Sequence, residues 1–165
     1  MTDQTDRLLG RWAQARPDLA VAELQVTGRL SRLGRLMADR EEAVFERFGL
    51  NRGEVGMLSA LRIAGPPHRL SPTRLGRGLL LSSAGVTSRI DRLERRGLVG
   101  RLPDPDDRRG VIVELTDAGL QLVDDAVVAK AASDRDLLAR FGPDDTAALE
   151  TLLRRLLAIL EPPVD

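Results

Sequence analysis

Residues 71–115 hold two short helical runs and then switch to a strand period, all in under fifty positions, and few folds tolerate that. Ser71-Pro72 pairs an N-cap hydroxyl with a proline at the first helical position, which predicts a short helix to about Leu79. After a brief turn, Ser82-Ser83 opens a second helix in which Val86, Ile90 and Leu93 fall at i, i+4 and i+7, and Gly97 closes it. The period then drops to two. Leu98–Leu102 is a short apolar-rich run, Asp104–Asp107 (DPDD) is turn chemistry, and Val111, Val113 and Leu115 alternate with Ile112 and Glu114. Two short helices joined by a tight turn and followed at once by a hairpin form a helix-turn-helix with a β-wing.

The flanks are helical. Leu8, Leu9 and Trp12 share one side of a short amphipathic helix that ends at Pro17. A long helix is predicted from about Leu19 to Phe48, with Val26, Leu30, Leu33, Met37 and Val44 on its apolar stripe and Gly49 as its stop. Asn51 and Glu54 have capping-box spacing for a helix that carries Val55, Leu58 and Leu61. Thr116-Asp117 caps another long helix, broken at Gly142-Pro143, and a last helix holds Leu149, Leu152, Leu153, Leu156, Leu157 and Leu160 before Glu161-Pro162-Pro163. The fold class expected is mainly α: a winged helix-turn-helix with a small β-hairpin wing and N- and C-terminal dimerisation helices. The expected division is 1–50 for N-terminal dimerisation, 51–116 for the winged lobe and 117–165 for C-terminal dimerisation.

Charge is distributed to match. The chain is formally neutral, yet residues 69–109 hold ten arginines against five acids, while residues 110–165 hold five basic groups against eleven acids. A basic middle within a neutral chain implies one focused polyanion contact. With one Trp, three Phe and no Tyr, a base-stacking surface for single strands is a poor fit. Absence of cysteine excludes disulfides, thiolate metal sites and thiol redox sensing. No apolar run nears the roughly 20 residues of a membrane span, and MTDQTDRLLGRW lacks the layout of a signal peptide, so a cytoplasmic protein without membrane contact is expected. No P-loop, G-x-G-x-x-G or G-x-S-x-G occurs, the Asp104–Asp107 cluster lacks calcium-loop spacing, and His68 after two prolines reads as an exposed loop residue. No catalytic set, metal site or cofactor is expected.

The candidate contacts lie on the second short helix and the wing. With Val86, Ile90 and Leu93 inward, Ser83, Ala84, Thr87, Ser88 and Asp91 face outward, small enough for close approach to a groove. Arg89 has the reach to read guanine or grip phosphate; Arg92, Arg95 and Arg96 suit backbone contact or pairing with Asp91 and Glu94. A solvated charged helix explains this segment equally well by itself. The wing decides between them: Arg108 and Arg109 beside Asp107 suit a minor groove, whose negative potential attracts arginine. Ser71, Thr73, Arg74 and Ser82, around the two helix starts, complete the expected DNA-contact set. Alternatives are a winged-helix protein-interaction module without specific DNA binding, and an enzyme, for which no nucleophile–base pair can be assembled.

From Leu50 to about Gly119 the chain resembles the MarR family of winged-helix regulators. The resemblance runs through Ser71–Leu75 (SPTRL), Val86-Thr87, Ile90–Glu94 (IDRLE), Gly97–Val99 (GLV), Asp104–Arg109 (DPDDRR) and Leu115–Gly119 (LTDAG), the last two being the most diagnostic. It implies a homodimer with interlocked terminal helices, a recognition helix in the major groove, a wing arginine at Arg109 in the minor groove, and double-stranded DNA with an inverted repeat as partner. It also implies a repressor released by a small organic effector. One departure is visible: where a glycine usually precedes the recognition helix, the turn reads Leu79-Leu80-Leu81. The N-terminal helix with Trp12 further resembles the PecS-like, urate-responsive branch, which implies a small aromatic or purine-like effector held by Trp12 and Arg101, with Arg89 nearby. The branch's acidic position reads Gly56 here, so a polar purine would lose one anchor. Packing of the extra helix on the dimer core is the alternative for Trp12.

Overall fold

The computed structural model describes residues 2–79, 83–105, 107 and 110–161. Among these residues seven α-helices and three strands follow in the order α1 (Gln4–Ala15), α2 (Leu24–Phe45), α3 (Arg52–Ile63), β1 (Arg69–Leu70), α4 (Pro72–Leu79), α5 (Ser83–Arg95), β2 (Val99–Pro103), β3 (Val111–Leu115), α6 (Asp117–Phe141) and α7 (Pro143–Leu160). The sheet is antiparallel in the order β1-β3-β2, with Val99 opposite Leu115 and Pro103 opposite Val111 in the hairpin. The expected winged helix-turn-helix is present.

Local chemistry explains most boundaries. The capping box at α3 is complete: Asn51 Oδ1 accepts from Glu54 N at 3.0 Å, and Asn51 N donates back to Glu54 Oε2 at 3.0 Å. Thr116 caps α6 by accepting from Gly119 N at 3.0 Å. Gly97, at φ 71°, adopts the left-handed conformation that ends a helix cheaply only in glycine.

Three expectations need correction. The long helix begins at Leu24, not Leu19, because Arg16 donates to Asp18 at 2.8 Å and Leu19 N donates to Arg16 O, holding the Pro17 segment in turns. Its far end tightens into a 3₁₀ turn over Glu46–Phe48 before Gly49. β1 joins the wing as a third strand, paired Arg69 with Glu114 and Leu70 with Val113. His68 is half-buried, not an exposed loop residue: its carbonyl accepts from Leu115 N at 3.1 Å, which extends that pairing.

The core lies inside the winged lobe. Met57, Leu58 and Leu61 of α3 meet Leu75 of α4, Val86, Ile90 and Leu93 of α5, Val113 of β3 and Val123 of α6, all essentially excluded from solvent. The terminal helices differ: α7 has no buried residue, and Val26, Leu33, Val128, Phe141, Leu152 and Ile159 all keep large exposed surfaces. Such apolar faces are uncovered in a single chain. Among the described residues no helix is long and apolar enough to cross a membrane.

Candidate nucleic-acid interface

α5 presents its outer face through residue spacing. Val86, Ile90 and Leu93 anchor it inward, which leaves Ala84, Thr87, Ser88 and Asp91 exposed in a stripe of small and polar side chains. A stripe of this kind admits a helix into a groove without steric obstruction. α4 lies beneath it with Thr73 and Arg74 exposed, while Ser71 Oγ accepts from Arg74 N at 3.4 Å as the cap. Ser82, Arg108 and Arg109 lie outside the described residues, as does the side chain of Ser83. The wing turn leading to them is closed by Asp104 N to Gly110 O at 3.1 Å and Gly110 N to Asp107 O at 2.8 Å.

The arginines of α5 divide by partner. Arg89 turns away from the exposed stripe: it is half-buried, its Nη1 donates to Gly85 O at 3.2 Å, and its guanidinium lies over the start of α3. A Cβ at Gly53 would stand 2.6 Å from Arg89 Nε, so only glycine there permits this approach. Together Asn51, Gly85, Ser88, Arg89 and Arg92 line a polar cleft of about 260 Å³. Arg92 Nε donates to Glu54 Oε1 at 2.7 Å. Arg96 stands 3.9 Å from the same oxygen and donates to Gly49 O at 2.7 Å.

Glu54 is therefore the junction between α3 and α5, and sequence reasoning assigned it only a capping role. Its carboxylate is almost wholly buried. Burial alone would push its pKa up, but the Arg92 hydrogen bond, the Asn51 N–H and the charges of Arg92 and Arg96 outweigh that and hold it below the ordinary glutamate value. Its ion-pair partner was not visible in the spacing, because Arg92 lies 38 positions away.

Arg101, expected beside an effector, reaches instead from β2 to α5. Nη2 donates to Asp91 and Nη1 to Glu94, and the hydrogen bond to Asp91 is the main cause that raises its pKa above the usual arginine value. The cleft at Trp12 is separate. It measures about 560 Å³ and combines Leu8, Leu9, Leu24 and Trp12 with Arg7, Arg11 and Arg32; Arg101 is not part of its lining.

α1 is pinned to α2 by a contact the spacing did not suggest. Arg29 grips both carboxylates of the α1 capping box, Asp3 at 2.8 Å and Asp6 at 2.6 Å. Backbone N–H groups and then Arg29 lower both aspartate pKa values. Since the folded values lie below the unfolded ones, this docking is complete above the usual aspartate pKa and is lost as pH falls through the depressed values. Trp12 is the single tryptophan. Acid titration is accordingly expected to shift its emission in that window, and Arg29→Met to shrink the pH-dependent step and move it towards the usual aspartate pKa, since the capping-box N–H groups remain; an identical titration in both proteins would contradict this.

The profile of the MarR family matches residues 48–110. The HTH-type transcriptional regulator PecS of Dickeya dadantii is 35% identical over 149 residues, covering 90% of this chain and 90% of its own length. Among solved structures, Sco3205 of Streptomyces coelicolor, a MarR family transcriptional regulator in complex with DNA, superposes with a TM-score of 0.73 at 25% identity, over 87% of this chain and 94% of its own. A mutant of MarR from E. coli complexed with operator DNA gives a TM-score of 0.69 at 26% identity, over 84% of this chain and 99% of its own.

Proposed function

The chain belongs to the MarR family, and we propose that it is a homodimeric, sequence-specific DNA-binding transcriptional regulator of the cytoplasm, not an enzyme. The observation that carries this reading is the exposed Ala84, Thr87, Ser88 and Asp91 stripe of α5, joined through Arg101 to the β2–β3 hairpin, between whose strands the sequence carries Arg108 and Arg109. The helix enters the major groove and reads base edges, and Arg109 at the wing tip enters the adjacent minor groove. Arg74 and Arg108 meet phosphates, with Ser71, Thr73, Ser82 and Ser83 at the two helix starts.

A second copy of the chain covers the apolar faces of α1, α2, α6 and α7. The exposed Val26, Val128, Leu152 and Ile159 supply the apolar area that an obligate interface requires. Two-fold symmetry then demands an inverted repeat, with half-sites roughly one helical turn apart. Repression is relieved by a small aromatic or purine-like effector at the Trp12 cleft. Its arginines suit an anionic aromatic ring, which would act by preferring the lobe spacing that does not fit DNA.

Selection of genomic fragments by the purified protein tests the reading. A short inverted repeat bound about a thousandfold more tightly than random DNA is expected. Arg109→Ala should weaken every site broadly, whereas Ser83→Ala or Ser88→Ala should change base preference. Weak, steeply salt-dependent binding to all fragments would refute specific regulation.

A further inference from the structure

We propose that Arg101 is a positioning residue that yokes the wing to the recognition helix, so that both enter their grooves as one rigid piece. The inference rests on the DNA-binding reading above and adds a role for a residue expected to contact effector.

Arg101 stands on β2 opposite Val113, whose side chain is fully buried, so its backbone is fixed by the sheet. Its guanidinium bridges Asp91 and Glu94, which are three residues apart and therefore on one face of α5. Asp91 belongs to the exposed stripe itself. The root of the hairpin is held by the buried Val99, Val113 and Leu115, by pairing with β1 and by the Gly97 turn, where Leu98 N returns to Leu93 O at 3.0 Å. Beyond Arg101 the strands lose that support, with Pro103 and Val111 exposed, so the outer hairpin can bend. The Arg101 fork attaches the strand to α5 at the last point before this outer part and so sets its angle.

The consequence is read in binding rather than in stability. Solvent-accessible ion pairs contribute little to folding. A wing already held at the angle DNA requires, however, escapes the ordering cost of adopting it on binding. The same bridge also neutralises two carboxylates that would face phosphate, so geometry and charge must be separated by the test.

The experiment measures affinity of the full-length protein for its selected operator, alongside thermal midpoints. Arg101→Met is expected to weaken operator binding about tenfold, equivalent to 1.4 kcal/mol, with a midpoint little changed; Arg101→Lys should recover part of the loss. Combining Arg101→Met with Asp91→Asn and Glu94→Gln removes the bridge and the repulsion together, and should still bind weakly. In an Arg109→Ala background, the triple change should cost nothing more, because with the charge removed it acts only through the wing. Wild-type affinity in Arg101→Met, recovery in the triple variant, additivity of the triple change with Arg109→Ala, or a large fall in midpoint would each overturn the proposal. Failure of the unmodified protein to prefer any operator would instead overturn the regulator reading, and this inference with it.

Discussion

Glu54→Ala is expected to lower folding stability by about 2–3 kcal/mol and to loosen the recognition helix at the same time. The carboxylate is buried and serves three groups: the Asn51 N–H at the start of α3, Arg92 at 2.7 Å, and, more distantly, Arg96, which itself ties back to Gly49 O. Removing it leaves the amide of Asn51 without its acceptor and opens space beneath α5. The cost falls short of the largest values for broken buried pairs because the Arg92 side chain is half exposed and rehydrates. Glu54→Gln should cost roughly half as much, since an amide oxygen still accepts from Asn51 N but offers no charge to the arginines. Operator affinity should drop in both variants well below their melting temperatures, because α5 is registered to α3 through this carboxylate. The pH dependence has a definite sign. The folded pKa lies below the unfolded one, so the contribution is complete above the unfolded glutamate value of about 4.3 and drains away as pH falls through the depressed folded value. Denaturant melts across that window should show a steeper acid loss in the wild type than in Glu54→Ala; parallel curves would refute the role assigned to the charge.

Features that are local in the chain were legible before any coordinates. Asn51 with Glu54, Thr116 with Gly119, and Gly97 each announce a helix end, since cap and partner lie within a few positions. The apolar spacing of Val86, Ile90 and Leu93 likewise orients α5 without reference to the rest of the molecule. What escaped depends on distant packing. β1 is two residues long, too short for alternation to register, and it exists because Arg69 and Leu70 meet the free side of β3. Arg89 looked like an outward reader because its rotamer is decided by Gly53, on another helix, where a side chain is missing. Arg101 was placed by resemblance at an effector site, yet the angle between hairpin and helix delivers it to Asp91 and Glu94. Long arginine side chains choose among several acids within reach, and spacing along one helix cannot rank acids contributed by another element. Gly56, read as a lost anchor, has a packing reason too: a Cβ there would stand 3.2 Å from Leu79 Cδ2, so the α3–α4 contact favours the smallest residue.

Gly119→Ala is expected to be at least as damaging as the loss of Glu54, at about 3–4 kcal/mol, although it adds a single methyl group. The new Cβ would collide with the carbonyl oxygen of Leu98 and stand 2.9 Å from both Leu98 C and Leu115 Cδ1. Backbone cannot step aside as a flexible side chain can, and this backbone is heavily committed. Thr116 N donates to Leu98 O at 3.2 Å, Leu98 N donates to Leu93 O at 3.0 Å, and Thr116 Oγ1 donates to Gly97 O at 2.8 Å while accepting from Gly119 N. The Leu115–Gly119 motif is thus a splice: the threonine caps α6 and holds the end of α5, and the glycine lets α6 start against the root of the wing. Pushing α6 outward moves the recognition helix, the wing and the C-terminal helices relative to one another. A melting temperature lower by roughly 10 °C is expected for a chain of this size, together with loss of operator binding before global unfolding. Gly78→Ala provides the opposite sign, because a Cβ at that exposed helical position meets nothing within 4 Å and should stabilise by about 0.5–1 kcal/mol. If both substitutions prove neutral, α6 does not press on Leu98 as described; if Gly119→Ala lowers stability but leaves operator affinity intact, the splice carries structure alone and transmits nothing to the DNA-reading face.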